Sequence, residues 1–176
     1  MRIDKTFQTS FWPIMAAIAA LSALGIAHAF ETFGGLMPCA LCLRQREVYW
    51  LALTIAIIGL AVMRAQPGWR AERGVVALLG LTFLTGAIVA GYHAGVEWHF
   101  WPGPSTCTGG GDALAGLSIA DLGAALGKAG IPPACDQIPW SFAGISMAGW
   151  NMVLSLMLAG ASFYSLTQAK EPEIAP

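Results

Sequence analysis

The chain has 176 residues, of which 56% are hydrophobic and 11% carry a charge. Soluble globular domains contain about 25% charged residues, so this composition excludes an ordinary water-soluble protein and favours one that faces lipid over most of its surface. The formal net charge of −1 gives no electrostatic basis for binding nucleic acid. The length predicts a single domain, residues 1–176.

Four apolar stretches predict four membrane spans, at about 11–30, 43–63, 74–93 and 142–166. A spanning helix needs about 20 mostly apolar residues, and lipid offers no partner for a free backbone N–H or C=O, so each span is helical. The uncharged part of the second stretch, 48–63, is short. Its helix reaches full length only if it starts near Pro38, a residue suited to a first helical turn. We therefore predict an all-α integral membrane protein, a four-helix transmembrane bundle.

The first span also has features of a secretory signal peptide. Arg2 and Lys5 precede the apolar run, which ends in Ala27-His28-Ala29 and so resembles a cleavage site. The run is long for a signal, and we favour a membrane span. Cleavage would leave the cysteines on the same side of the membrane.

The distribution of Lys and Arg orients the bundle, because cytoplasmic loops carry an excess of these residues. The side with both termini carries six, and the opposite side carries three. The six are Arg2, Lys5, Arg64, Arg70, Arg73 and Lys170, and the three are Arg44, Arg46 and Lys128. We therefore expect both termini in the cytoplasm. The outer loops, at about 31–42 and 94–141, hold all four cysteines and would face the oxidising periplasm of a bacterium.

The second outer loop is long for a connection without regular structure, which favours a functional role. Within it, 118–128 predicts a short helix that Ser118 would cap, with Asp121 three residues later. Leu122 and Leu126 would let this helix lie in the membrane interface. A small solvated helix above the bundle fits the same residues equally well.

The first two cysteines suggest redox chemistry. Cys39 and Cys42 form a C-x-x-C pair at the start of the second span, three residues apart and therefore on one helical face. The partial positive charge of a helix N-terminus stabilises a thiolate there. Arg46, four residues after Cys42, shares that face and would favour a thiolate or donate to an anionic or carbonyl acceptor. An interfacial anchor is the alternative role for Arg46. Arg44 lies off the face, near Glu47, as an anchor or ion-pair partner.

The other two cysteines, Cys107 and Cys135, lie 28 residues apart in the long loop. Structural zinc usually takes two close pairs or a Cys/His cluster, so no metal is predicted. A structural disulfide that staples the loop of a membrane scaffold remains open on spacing alone. A transporter or channel is disfavoured, because charged residues are absent from the interior of the spans.

The order of these motifs resembles the DsbB family, bacterial inner-membrane oxidoreductases that regenerate the periplasmic oxidant DsbA and pass electrons to quinone. The resemblance rests on the four spans, on C-x-x-C at the outer end of the second with arginine four residues later, and on two loop cysteines before the fourth. It covers nearly the whole chain. Vitamin K epoxide reductase relatives also have four helices and two cysteine pairs, but their loop pair precedes the C-x-x-C. The resemblance implies a membrane thiol:quinone oxidoreductase that uses ubiquinone or menaquinone.

The resemblance also implies residue roles. Cys39 and Cys42 match the family's membrane-proximal redox pair, and Arg46 matches its quinone-side arginine. Cys107 matches the loop cysteine that exchanges with the partner, and Cys135 matches its mate. Electrons would pass from a DsbA-like dithiol to a Cys107–Cys135 disulfide, then through attack of Cys135 on Cys39, and finally from Cys42 to quinone.

Two polar residues near the outer end of the third span have less defined roles. His93 is matched to a quinone-side histidine of the family, and an interfacial histidine without such a role fits as well. Glu97 is a candidate partner for a histidine or for one of the two nearby arginines. The other two histidines receive no role.

Overall fold

The computed structural model describes the backbone of residues 5–107 and 133–168, with side chains for 11–107 and 133–167. The long helices are α1 Lys5–Thr32, α2 Ala40–Ala65, α3 Trp69–Glu97 and α4 Met147–Gln168. The short elements are a 3₁₀ turn, Ser105–Cys107, and two strands, β1 Ser141–Phe142 and β2 Ile145–Ser146. The short helix predicted at 118–128 lies outside the described residues. So do the side chains of Arg2, Lys5, Lys128 and Lys170.

Three of the described helices are long and apolar enough to cross a membrane, over Phe11–Thr32, Ala40–Ala65 and Trp69–Glu97. The fourth long helix, α4, has 22 residues and contains Asn151 and several serines. Ser155 and Ser162 are buried against the bundle, whereas Met157 and Tyr164 on the same helix are exposed. The all-helical architecture of a membrane protein is thus confirmed, and a fourth span remains a prediction.

The start of α2 differs from the prediction, which placed Pro38 and both cysteines in the first helical turn. The helix begins at Ala40, and Cys39 is its N-cap, with extended backbone angles (φ −77°, ψ 172°) and Sγ accepting a hydrogen bond from the Cys42 N–H. Pro38 therefore lies just before the cap and not in the first turn. Because the cap needs an acceptor side chain and extended backbone, the two cysteines occupy different positions, one capping the helix and one inside its first turn.

A hairpin delays the start of α4, which begins at Met147, whereas the sequence predicts a span from 142. Strands β1 and β2 pair antiparallel, and both turn residues, Ala143 and Gly144, have positive φ. Two such residues form the tight turn that suits a short hairpin. Ser146 then caps α4 by accepting a hydrogen bond from the Gly149 N–H at 3.1 Å.

Small side chains make most of the close contacts between the helices. Four fully buried alanines from α1 and α2 pack around Leu79 and Phe83 of α3. They are Ala16, Ala20, Ala52 and Ala56. Such residues let helices approach closely, which matters in lipid, where association depends on packing and not on apolar burial. The packing predicted from the small residues of the apolar stretches is therefore present.

We expect Gly59→Ala to lower the free energy of unfolding by about 1–3 kcal/mol, the usual cost of overpacking. A Cβ at Gly59 of α2 would overlap both methyl groups of Val75 of α3, and a β-branched side chain cannot easily rotate away. The matched control is Gly25→Ala, because a Cβ there meets nothing within 4 Å and alanine favours helix. Thermal unfolding in detergent measures both variants, and equal midpoints would contradict the close approach.

Candidate functional site

The C-x-x-C pair lies at the N-terminal end of α2, with its sulfur atoms in contact. Cys39 is buried and Cys42 is partly buried, and both are free thiols. The Sγ atoms of Cys39 and Cys42 lie 2.9 Å apart, within hydrogen-bond distance, and when Cys39 is a thiolate the Cys42 thiol is the donor. The Cys39 Sγ also accepts from the Cys42 backbone N–H at 3.3 Å. Cys39 therefore sits at the positive end of the helix dipole as the acceptor of two hydrogen bonds.

The last turns of α3 bring a histidine and a carboxylate to the same place. The His93 Nε2 lies 3.5 Å from the Cys39 Sγ and 3.9 Å from Oε1 of Glu97, one helical turn further on. Glu97 also accepts a short hydrogen bond from the Ser146 hydroxyl. His93, Glu97 and Ser146 are all buried. Glu97 thus pairs with a histidine and with the cap of α4, not with either arginine.

The electrostatics favour a thiolate on Cys39. The hydrogen bond from the Cys42 thiol is the largest influence, and it lowers the pKa of Cys39 far below its ordinary value. Burial opposes this shift, and the nearby His93 imidazole adds to it. The sequence prediction placed the reacting thiolate on Cys42, whereas the free pair puts the charge on Cys39, because Cys42 is the donor in their mutual hydrogen bond.

The loop cysteines are joined by a disulfide and lie beside this pair. Cys107 and Cys135 are bonded to each other, and Cys107 ends the 3₁₀ turn. Both are buried in one cluster with Cys39, Leu41 and Val96. The Cys135 N–H donates to the Cys107 carbonyl at 3.3 Å. The structure therefore brings all four predicted cysteines to one end of the bundle.

Arg46 and Arg44 have different environments, as their helical positions predict. The Arg46 guanidinium donates to Glu31 at 2.5 Å and to the Ala27 carbonyl at 3.3 Å, with its side chain 16% exposed. Arg44 forms an ion pair with Glu47 at 2.9 Å, with both side chains more than half exposed. Only Arg46 of the two faces the cavity beside the cysteines.

That cavity has a volume of about 220 Å³ and is lined by residues of all four long helices. Apolar side chains such as Leu24 and Leu154 line most of it. Its polar lining includes Cys39, Cys42, Gln45, Arg46, Tyr49, His93, Glu97 and Asn151. An apolar pocket with a few convergent polar groups suits an organic ligand with a polar head.

Sequence reasoning missed a chain of polar side chains behind His93. The Gln45 Nε2 lies 2.7 Å from the His93 Nδ1, and the Gln45 Oε1 accepts from the Asn151 Nδ2 at 2.5 Å. The Tyr49 hydroxyl donates to the Asn151 Oδ1 at 2.5 Å and lies 3.3 Å from the Ser155 Oγ. The available signal was the presence of Gln45 and Asn151 in or beside apolar stretches, since polar groups at membrane depth are often functional.

A metal is a weaker interpretation of the same atoms. The ligand atoms of Cys39, Cys42 and His93 lie within 4.8 Å of one another. Two thiolates on one zinc ion, each about 2.3 Å from it, stand farther apart than the 2.9 Å between these sulfurs. The arrangement is that of hydrogen-bonded thiols, and the absence of a metal stays a prediction.

Comparisons with known proteins point to one family. The family model described as "Disulfide bond formation protein DsbB" matches residues 9–165. Disulfide bond formation protein B of Acidovorax sp. (strain JS42) is 32% identical over 151 residues, 83% of this chain and 79% of the relative. That of Paracidovorax citrulli (strain AAC00-1) is 32% identical over 164 residues, 90% and 86% of the two chains. No solved structure gives a significant match.

We expect Cys39 to remain a thiolate at pH 6, where a cysteine with the ordinary pKa of about 8.5 is protonated. Cys42→Ala removes the main donor to Cys39 and should raise its pKa by about 1–2 units, the value of a hydrogen bond to a charged group. Cys42→Ser keeps a hydroxyl donor and should retain more of the thiolate.

Thiolate absorbance during acid titration measures this effect. With the loop disulfide intact, Cys39 is the free thiol of either variant, since the chain has four cysteines. Equal titration midpoints for the alanine and serine variants would contradict the role of the Cys42 hydrogen bond.

Proposed function

The chain belongs to the DsbB family, and we propose that its four cysteines carry out a two-stage thiol relay at one end of the bundle. As a member of this family, it is a membrane disulfide-generating oxidoreductase that reoxidises a DsbA-like dithiol protein and passes the electrons to quinone. The residue roles, the quinone site and the orientation are our proposals. The observation that carries them is the burial of both cysteine pairs in one cluster beside an apolar cavity.

The first stage is exchange between the partner and the loop disulfide. A partner thiolate attacks the Cys107 Sγ, the S–S bond to Cys135 breaks, and Cys135 leaves as a thiolate. The second partner thiolate then attacks its own sulfur in the mixed disulfide, which releases Cys107. The partner is now a disulfide, and Cys107 and Cys135 hold two electrons as a dithiol.

The second stage moves those electrons to the C-x-x-C pair. When Cys39 and Cys42 form a disulfide, the Cys135 thiolate attacks the Cys39 Sγ and Cys42 leaves. Cys107 then attacks the Cys135 sulfur, restores the loop disulfide and releases Cys39. The burial of Cys135 and Cys39 in one cluster supports this order. The hydrogen bonds that stabilise a Cys39 thiolate also make it a good leaving group at the last step.

The cavity beside the pair fits a quinone head. Its apolar walls suit a lipid-soluble molecule, and Arg46 offers N–H groups to a carbonyl oxygen near the two sulfurs. His93, the other predicted quinone-side residue, lines the same cavity. A bound quinone supplies a two-electron, two-proton acceptor. Cys42 is the less buried residue of the pair, and both cysteines line the cavity. As the Cys39–Cys42 S–S bond forms, the two electrons and two protons that the pair loses would pass to the quinone.

We propose that α4 is the fourth membrane span and that the cysteine end faces the periplasm. The inward serines of α4 donate to the backbone carbonyls of the preceding turn, as Ser162 and Ser165 do at 2.8 and 2.9 Å. Its polar groups are thus satisfied without water. The excess of Lys and Arg on the side of the termini supports cytoplasmic termini. The bacterial inner membrane is the location of this family.

The loop pair provides the first test of the relay. A reduced DsbA-like protein that has lost the second cysteine of its dithiol should be trapped as a mixed disulfide on Cys107 of the unmodified chain, because no second partner thiolate is left to release Cys107. Cys107→Ser should form no such adduct and should stop partner oxidation, while quinone still oxidises Cys39 and Cys42. Non-reducing electrophoresis with a reduced DsbA-like protein detects the adduct. If this partner variant never forms the adduct with Cys107, the loop disulfide is a structural staple, the alternative left open by the sequence.

The two arginines provide a matched test of the quinone site. Arg46→Gln removes the cation that faces the cavity, and we expect about a tenfold higher apparent KM for quinone, the effect of about 1.4 kcal/mol. Arg44→Gln removes an exposed cation whose ion pair contributes little, and it should change this KM by less than about twofold. Quinone titration with the same reduced partner compares them. Equal defects, or a larger one in Arg44→Gln, would contradict the assignment of this cavity.

A further inference from the structure

The hydrogen-bond partners of Gln45 determine which way its amide points. The Gln45 Nε2 lies 3.4 Å from the Leu41 carbonyl oxygen, which accepts hydrogen bonds and cannot donate them. The atom on that side must therefore be the NH₂ group. The Gln45 oxygen on the other side accepts from the Asn151 NH₂ group, so both ends of the amide have suitable partners in this orientation.

The orientation of Gln45 fixes the position of the proton on His93. The Gln45 NH₂ group is 2.7 Å from the His93 Nδ1, and it can only donate. A hydrogen bond at this distance requires Nδ1 to be the acceptor, so Nδ1 carries no proton. In a neutral imidazole the proton is then on Nε2, the nitrogen that faces the Cys39 Sγ at 3.5 Å.

Tyr49 and Asn151 hold the amide of Gln45 in place from the far side. The Tyr49 hydroxyl donates to the Asn151 Oδ1, so the Asn151 NH₂ group is the end that faces Gln45. Each hydrogen bond in the series from Tyr49 through Asn151 and Gln45 to His93 therefore joins one donor to one acceptor. Reversal of the Gln45 amide would require Asn151 to reverse with it and would turn an oxygen toward the Leu41 carbonyl.

We propose that Gln45 is a positioning residue, held by Asn151, which keeps the His93 proton on Nε2 so that the imidazole donates to the Cys39 sulfur. This inference rests on the proposed role of Cys39 and Cys42 as the redox pair. A histidine with its proton on Nδ1 would instead turn a lone pair toward the Cys39 thiolate. The tautomer therefore decides whether the imidazole stabilises or repels the charge that Cys39 carries after the loop disulfide is restored and before the Cys39–Cys42 disulfide reforms. Among the described residues, the titratable groups close to this imidazole are Cys39, Cys42 and Glu97.

The first test reads the tautomer directly and needs neither partner nor quinone. The full-length protein in detergent is labelled with ¹⁵N-histidine, and His93→Asn identifies the His93 signals among those of the three histidines. We expect an unprotonated Nδ1 and a protonated Nε2 at neutral pH. In Gln45→Met, which removes the donor at nearly constant volume, we expect the loss of this single-tautomer spectrum. A protonated Nδ1 in the unmodified protein, or an unchanged spectrum in Gln45→Met, would overturn the proposal.

Further variants separate positioning from a general loss of packing. Asn151→Leu should allow both tautomers of His93, as Gln45→Met does, because it frees the Gln45 amide to reverse. The control is Thr82→Val, which removes a buried hydroxyl from α3 that donates to its own helix at the Leu78 carbonyl. It should leave the spectrum unchanged. Should Gln45→Met fail to fold, Asn151→Leu carries the test by itself, and an unchanged spectrum there overturns the proposal.

Turnover kinetics then distinguish positioning from direct contact with quinone, since Gln45 lines the same cavity. A residue that acts through His93 should lower kcat about tenfold or more when its hydrogen bond is removed and leave the KM for quinone nearly unchanged. A rise in KM with constant kcat would make Gln45 a quinone ligand and overturn the positioning role. Failure of the loop-cysteine test would leave the tautomer result intact, so the two proposals fail separately.

Discussion

The site depends on the N-cap of α2, where one sulfur atom closes the helix and accepts every hydrogen bond that stabilises its charge. Cys39 takes the place that Ser, Thr, Asn or Asp usually fills, and its Sγ accepts from the Cys42 N–H. As a thiolate it also accepts from the Cys42 thiol, and in the proposed tautomer from the His93 imidazole. In the proposed relay, helix capping and redox chemistry therefore use the same atom. When Cys39 enters a disulfide, its sulfur loses the negative charge, and the hydrogen bonds from these donors to it become much weaker. The preference for a thiolate at this position thus opposes disulfide formation and makes Cys39 a favoured leaving group.

The surrounding lipid explains why the polar residues of this bundle form continuous chains. A polar group that faces hydrocarbon without a partner costs several kcal/mol, so each one must find a partner inside the protein. Gln45, Asn151 and Tyr49 satisfy one another across α2 and α4, and Ser162 accepts from Trp12 of α1 at 2.9 Å while it donates to its own helix. Among the described residues, no buried side-chain nitrogen or oxygen lacks a hydrogen-bond partner. Packing of small residues brings the helices close enough for these short side chains to reach.

The sequence predicts those parts of the structure that depend on neighbours along the chain. The apolar lengths locate the helices, and the spacing of three and four residues correctly places Cys39, Cys42 and Arg46 beside one cavity and Arg44 away from it. The partners of His93 and Glu97 could not be predicted, because they come from other helices. Asn151 and Gln45 are 106 residues apart, and Ser146 reaches Glu97 only because the hairpin before α4 sets where that helix starts. That hairpin depends on positive φ at Ala143, which an alanine does not signal.

The burial of the loop disulfide imposes an order on the two exchanges. Cys107 is 6% exposed and Cys135 is 1% exposed, so both residues offer little surface to a thiolate of another protein in this arrangement, whereas Cys39 lies in the same buried cluster. This arrangement therefore suits the proposed transfer of electrons from the loop pair to Cys39 and Cys42. Reduction of the loop disulfide by the partner would require a second arrangement, in which Cys107 is accessible. The separation of the two states has a chemical advantage. If both disulfides were open to external thiols at once, the partner could reduce the Cys39–Cys42 pair directly, and the loop pair would no longer control which protein donates electrons.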